Sequence, residues 1–237
     1  MRILFIGNSH TYMNALPYQV RAMVNRTEGD GACEVCMLAP GGKSLGWHAG
    51  EPETRMAIAY HHWDFIVLQQ NTHPFDGYDE LARQYGKLAP FLERGRETGS
   101  GVVSGPQGND SRPRFPRVQM YETWAMKNRP EDQAELSAAF SRLASERGLR
   151  LVPVATAWRR AIAQMPGVNL HAPDESHAGP AGTYLAACVF YAALTGRSPE
   201  GLPARIEVAG DVLADLPDEQ AAAFQTIAWQ TVADQRR

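Results

Sequence analysis

The chain has 237 residues, which leaves room for one large domain or two small ones of about 150 residues, and a single core suffices below about 250 residues. Hydrophobic residues at 44% and charged residues at 21% match an average globular protein, and 21 glycines with 16 prolines fall short of a low-complexity chain, so disorder, collagen and coiled coil are excluded. With 23 basic against 26 acidic residues and a net charge of −3, the chain lacks the basic excess of a phosphate-binding surface, and nucleic acid is not an expected partner.

In chain order, Ile3 to Ile6 is a short apolar run that reads as a buried strand, too short for the core of a signal peptide. The next strand, Glu34 to Leu38, contains Cys36 and follows Cys33; residues three apart on a strand face opposite sides, so these two read as separate core thiols rather than a redox pair. Phe65 to Leu68 is the third strand. Leu81, Tyr85, Leu88 and Leu92 step by four, three and four, the stripe of an amphipathic helix. Thr98 to Pro116 has no period and is rich in Gly, Ser, Pro and Arg, an irregular excursion or an active-site flap.

Val118 to Tyr121 resumes the strand pattern. Leu136, Phe140 and Leu143 form a second helical stripe between Pro130 and Gly148, start and stop signals for a helix. Leu151 to Val154 is the fifth strand. The apolar stretch from Tyr184 to Leu194 is about half of a membrane span, so no membrane partner is expected. Asp215 and Pro217 open a last helix with Phe224, Ile227 and Ala228 on one face. Apolar strands alternating with helical segments define a parallel sheet with crossover helices, read as one α/β domain over residues 1–237 with about five strands. Three cysteines leave one unpaired, which fits a reducing compartment, and the protein is read as cytoplasmic.

Four segments at expected strand ends carry chemistry. Gly7-Asn8-Ser9 places a hydroxyl at the carboxyl end of the first strand, where ligands bind in open parallel sheets; capping a helix is the plain alternative for this serine. Ala39-Pro40-Gly41-Gly42-Lys43-Ser44 lets backbone N–H groups approach a substrate, without the spacing of a phosphate-binding loop. Gln69-Gln70-Asn71-Thr72-His73 offers side-chain amides to a developing oxyanion, or to a turn. Asp174-Glu175-Ser176-His177 puts a carboxylate three residues before a histidine, so that the acid can take Nδ1–H and leave Nε2 free as a base. His61 and His62 have no ligand-spaced partners, and no metal is expected.

In this order, Ser, Gly, Asn and Asp-x-x-His resemble the signature of the SGNH hydrolase superfamily, also called the GDSL esterases, over Ile3 to about Pro199. The runs Pro153 to Trp158 and Asp174 to Gly196 are similar to a bacterial subgroup of SGNH-like proteins. The resemblance implies a flavodoxin-like three-layer α/β/α sandwich and a serine esterase without cofactor. It implies Ser9 as nucleophile, His177 as base and Asp174 as its orienting acid. The oxyanion hole would comprise the N–H groups of Ser9 and Gly42, with Gly41 adjacent, and the amide of Asn71. Two departures stand out: Gly-Asp-Ser has become Gly7-Asn8-Ser9, and Gly-x-Asn-Asp has become Gln69-Gln70-Asn71-Thr72. Gly108-Asn109-Asp110 is a competing asparagine without a strand to deliver it.

His10, Trp47, His48, His73 and Trp124 are the candidate pocket residues. Polar, glycine-rich segments around Ser9 lead to a small acyl group, acetyl first, on a carbohydrate or another polar alcohol, the partner being a small-molecule ester. An acyltransferase on the same fold and a catalytically silent carbohydrate-binding module are the alternatives.

Overall fold

The computed structural model of the protein describes residues 1–98 and 116–235, so the irregular segment expected at 98–116 lies outside the described residues apart from its two ends. Five parallel strands, β1 (Arg2–Ile6), β2 (Glu34–Leu38), β3 (Phe65–Leu68), β4 (Arg117–Tyr121) and β5 (Arg150–Val152), form one sheet in the order β2-β1-β3-β4-β5. This is the flavodoxin-like order, and its direction reverses between β1 and β3, which opens a crevice at the carboxyl ends of those strands.

Nine helices are described: α1 (Ser9–Tyr12), α2 (Leu16–Glu28), α3 (Leu45–Gly50), α4 (Pro52–Tyr60), α5 (Gly77–Thr98), α6 (Asp132–Arg147), α7 (Val154–Gln164), α8 (Pro180–Thr195) and α9 (Asp218–Asp234). The strands are apolar on both faces because both are covered. Ile3, Phe5, Phe65, Val67 and Tyr121 point into one core with α2, α7, α8 and α9. Leu4, Ile6, Ile66, Leu68 and Met120 point into the other with α3 to α6. The result is the expected three-layer sandwich. The stretch Tyr184 to Leu194 belongs to α8, which is buried nearly all round between α2, α7 and α9, as an all-apolar helix requires. Gly182 on α8 is obligatory: a Cβ there would lie 2.2 Å from the Leu170 carbonyl and 2.4 Å from the Trp158 ring. No helix among the described residues is long and apolar enough to cross a membrane.

Several expectations change. The fifth strand stops at Val152, because Pro153 caps α7 and Val154 is its first residue. Asp215 does not open the last helix; it ends β7 (Asp211–Asp215), which pairs antiparallel with β6 (Arg205–Val208) in a hairpin. Ala209 and Gly210 both have positive φ, at 53° and 91°, the type I′ signature that fits hairpin twist. An alanine in place of the usual asparagine or aspartate hides that turn in the sequence. Cys33 and Cys36 fall in opposite cores, as strand alternation requires.

Candidate active site

β1 delivers the nucleophile candidate through a turn that only its own residues can make. A Cβ on Gly7 would sit 2.4 Å from Thr11 Oγ1 and 2.6 Å from Gln69 Oε1, so the chain can bend sharply there only with glycine. Asn8 is buried and spent three ways: its backbone N–H donates to Gln69 Oε1 (2.8 Å), its Oδ1 accepts the His10 N–H (3.1 Å), and its Nδ2 donates to the Lys43 carbonyl (3.1 Å). An aspartate would keep the cap and lose the bond to Lys43, which ties the Gly41-Gly42 turn to the Ser9 turn. The departure from Gly-Asp-Ser thus has a structural reason. Ser9 is the first residue of α1, where backbone N–H groups have no helical acceptor.

The loop before α8 brings the other half. A bridge between His171 and Ala178, with Ala172 N–H donating to the His177 carbonyl at 2.8 Å, closes the loop at its base. Asp174 Oδ1 accepts the N–H groups of Ser176 (3.0 Å) and His177 (2.9 Å), and its Oδ2 lies 2.6 Å from His177 Nδ1. His177 Nε2 is 2.7 Å from Ser9 Oγ. With a carboxylate on Nδ1, the ring proton belongs there, and Nε2 presents its lone pair to the Ser9 hydroxyl. The hydrogen bond from the His177 ring, reinforced by the two backbone N–H groups, holds the Asp174 carboxyl far below the usual carboxylate range.

Gly42 and Asn71 are the two other candidate donors. Gly42 has φ +69°, and a side chain there would meet open space; Asn8 Nδ2, bonded to the Lys43 carbonyl, ties its turn to the Ser9 segment. Of the three carboxamides after β3, Gln69 is consumed by Asn8 and Thr11, and Gln70 accepts the Leu45 N–H at 2.9 Å and donates to the Asn71 carbonyl. Asn71 Oδ1 accepts from the His73 N–H at 3.4 Å, and no bond engages its Nδ2 among the described residues. Of the three, only Asn71 has an amide nitrogen with no bond among the described residues. Asn109 lies outside the described residues.

The candidate pocket residues divide. Trp47 is 36% exposed, with the Lys43 ammonium 5.3 Å from its ring centroid. His48 is wholly enclosed and both ring nitrogens are used: Nε2–H donates to the Gly7 carbonyl (2.8 Å) and Nδ1 meets Thr54 Oγ1 (3.2 Å). It supports the Ser9 turn and offers a substrate nothing, which corrects its placement in the pocket. Trp124 is likewise fully buried; its indole donates to the Ser176 carbonyl (2.9 Å), so it braces the triad loop instead of lining a pocket.

His73 donates Nε2–H to the Trp124 carbonyl (2.9 Å), and its Nδ1 accepts from Ser176 Oγ (2.6 Å) and faces His10 Nε2 (3.1 Å). The His10 ring packs 4.8 Å from the His177 ring, tilted by 31°. Burial first, then the neighbouring imidazoles, pushes His10 well below the usual histidine value. Burial also lowers His73. Two residues in this bracing were not anticipated. Ser176 lay inside the Asp-x-x-His segment, unassigned. Asn14, with φ 49°, donates to the Ala178 carbonyl (2.8 Å) and to Thr183 Oγ1 (2.9 Å), linking the Ser9 segment to the His177 segment. Asparagine is enriched in this left-handed region, a signal for the turn though not for its partners.

The described residues hold no group of three His, Cys, Asp or Glu side chains placed for a metal ion. The sheet order and layers are those of the SGNH (GDSL) hydrolase fold. Among solved structures, the chain is similar to a DUF4886 family protein from Bacteroides uniformis (TM-score 0.68, 21% identity, covering 100% of this chain and 96% of that one). It is also similar to a GDSL-like lipase from Parabacteroides merdae (0.61, 13%, covering 82% and 95%) and to the acetyl xylan esterase AlAXEase (0.59, 13%, covering 81% and 99%). No family model and no curated protein matches the sequence.

Proposed function

We propose that this protein is an SGNH-type serine esterase that hydrolyses short-acyl esters, acetyl foremost, of a carbohydrate or similar polar alcohol. The observation that carries the reading is the chain Ser9 Oγ, His177 Nε2, His177 Nδ1, Asp174 Oδ2, with links of 2.7 and 2.6 Å. In the first step Ser9 Oγ attacks the ester carbonyl carbon while His177 Nε2 takes its proton. Asp174 stabilises the imidazolium without accepting its proton. The Ser9 and Gly42 N–H groups and Asn71 Nδ2 receive the oxyanion. Collapse expels the alcohol, which takes the proton from His177; water, deprotonated by the same nitrogen, then releases the acid and restores Ser9. The cycle draws its base from the chain and calls on no cofactor.

Substrate size is argued from the walls. Each buried methylene of an acyl chain is worth about 0.8 kcal/mol, but only against apolar surface, and the turns around Ser9 are glycine and carboxamide. Tyr12 at 39% and Trp47 at 36% exposure flank the Gly41-Gly42 turn, with the Tyr12 hydroxyl 3.4 Å from where a Gly41 side chain would begin. Two half-exposed aromatic rings beside polar groups suit a sugar, whose faces stack while its hydroxyls hydrogen-bond. The fold neighbour that acts on acetyl xylan supports the same reading. A p-nitrophenyl ester series from acetate to decanoate, followed by acetylated sugars, tests it. We expect kcat/KM to be highest at acetate and higher still on the sugar esters; a steady rise toward decanoate overturns the small-acyl reading.

A further inference from the structure

His10 is a buried titratable group that the proposed cycle leaves unused, although it follows Ser9 directly in the chain. Its backbone N–H is fixed on Asn8 Oδ1 at 3.1 Å, and three other rings surround its own. His177 lies 4.8 Å away, tilted by 31°, and Trp124 lies 5.5 Å away, tilted by 50°. His73 meets it edge-on at 4.4 Å. Trp124 in turn stacks on Trp158 of α7 at 4.0 Å and 5°. Trp158, Trp124, His10 and His177 therefore form a column of rings from the core to the base of the triad. The three inner rings are buried, and His177 at its end is partly exposed.

The neighbouring hydrogen bonds fix the proton on His10. His73 gives its Nε2–H to the Trp124 carbonyl, so its Nδ1 is bare. That atom lies 3.1 Å from His10 Nε2 and 2.6 Å from Ser176 Oγ. A second bare nitrogen there would set two lone pairs against each other, so His10 carries its proton on Nε2 and donates to His73. Its Nδ1, without a partner in the described structure, then holds no proton that needs an acceptor. The groups facing His10 are His73 from the segment after β3, and His177, Asp174 and the Ser176 carbonyl from the triad loop. Burial, then His73 and His177, oppose a charge on it more strongly than the carbonyl and Asp174 favour one, so it stays neutral. We propose that His10 is a positioning residue for the esterase reaction: its ring, locked by His73, backs the His177 imidazole, holds it in line between Asp174 and Ser9, and presents a π face to the imidazolium formed in each half-reaction. An aromatic face attracts a cation, whereas a charged ring in its place would repel one. This role rests on the esterase reading and adds a residue to it that touches neither substrate nor Ser9 Oγ.

The test combines ester kinetics with the two-bond proton–nitrogen spectrum of the seven histidines in the full chain, recorded at about pH 8, where ordinary imidazole is neutral. His10→Phe and His177→Gln assign the two signals. His10→Ala removes the ring and should lower kcat by about 100-fold with KM within about 2-fold, because a misaimed base slows the chemical step and leaves binding alone. His10→Phe restores an aromatic face without nitrogen and should bring kcat back to within about 5-fold of the parent. In the parent, His10 should show the Nε2–H tautomer and His177 the Nδ1–H tautomer. The His177 signal should average between tautomers in His10→Ala and return to one form in His10→Phe. Full activity or an unchanged His177 signal in His10→Ala, His10→Phe as slow as His10→Ala, or an Nδ1 proton on His10 in the parent overturns the inference. The last outcome needs no substitution, so it holds even where a variant fails to fold. A parent that hydrolyses no ester refutes the esterase reading instead, and the histidine tautomers then decide the positioning role alone.

Discussion

The two halves of the candidate active site are held in opposite ways. The Ser9 half grows directly out of the sheet: its turn is buried, and Gln69, Asn8 and His48 spend polar groups on its backbone. The Asp174–His177 half sits on a partly exposed loop, tied locally by Asp174 and at longer range by Trp124, His73 and Asn14. A polar group in the first half stabilises the protein and the site at once, because removing it strands a buried partner. In the second half the same chemistry mainly aims the imidazole. Folding energy secures the proposed nucleophile, and side-chain clamps aim the proposed base.

The largest expected effect is at the junction of the two halves. Ser9→Ala removes the nucleophile and should lower kcat by about 10⁴ or more, and an organophosphonate should modify Ser9 in the parent and nothing in the variant. Full activity in Ser9→Ala would end the triad reading. Next, Asn71→Ala should lose roughly 10²–10³ in kcat with KM little changed, since its free Nδ2 is assigned to the transition state alone. A KM effect without loss of kcat would assign Asn71 to substrate binding.

A matched pair separates the two modes of support. Gln69→Leu leaves the Asn8 N–H and Thr11 hydroxyl without their acceptor and should cost about 1–3 kcal/mol of stability, a fall of several degrees in Tm. Ser176→Ala removes the bond to His73 and should lower kcat by about 10-fold while Tm stays nearly unchanged. If both variants lose stability and activity in the same proportion, the contrast between the halves is false.

The smallest effect is graded with pH. Burial lowers the values of His10, His48, His73 and His171 from the ordinary 6.5. The unfolded chain then binds more protons than the folded one below about 6.5, so stability is full above that pH and falls as the solution becomes more acid. The depressed Asp174 carboxyl acts in the same direction at lower pH. Denaturant midpoints from pH 8 to 5 check this, and a midpoint that rises toward pH 5 contradicts it.

Legibility followed the same division. Every strand of the sheet could be read, because strands covered on both faces are mostly apolar runs, and each is bounded to within a residue or two at its ends. The β6–β7 hairpin escaped because its Ala-Gly turn lacks the usual residues and only one face of it is buried. Ser9, Asp174 and His177 stood out because their order along the chain is itself a pattern. His48 and Trp124 were misplaced for one reason: a histidine or tryptophan at a strand end looks the same in sequence whether its polar atoms face a substrate or a backbone carbonyl.

By itself, the sequence determined what depends on neighbours along the chain: the five strands of the parallel sheet, the striped helices α5, α6 and α9, and the Asp174–His177 pair three residues apart. Tertiary structure alone decided what depends on residues far apart. The Ser9–His177 bond spans 168 positions and the Asn14 clamp 164, and His73 meets Ser176 across 103. No local pattern encodes such contacts. They exist because burial of the two cores brings the strand ends together, and polar groups enclosed there must find partners.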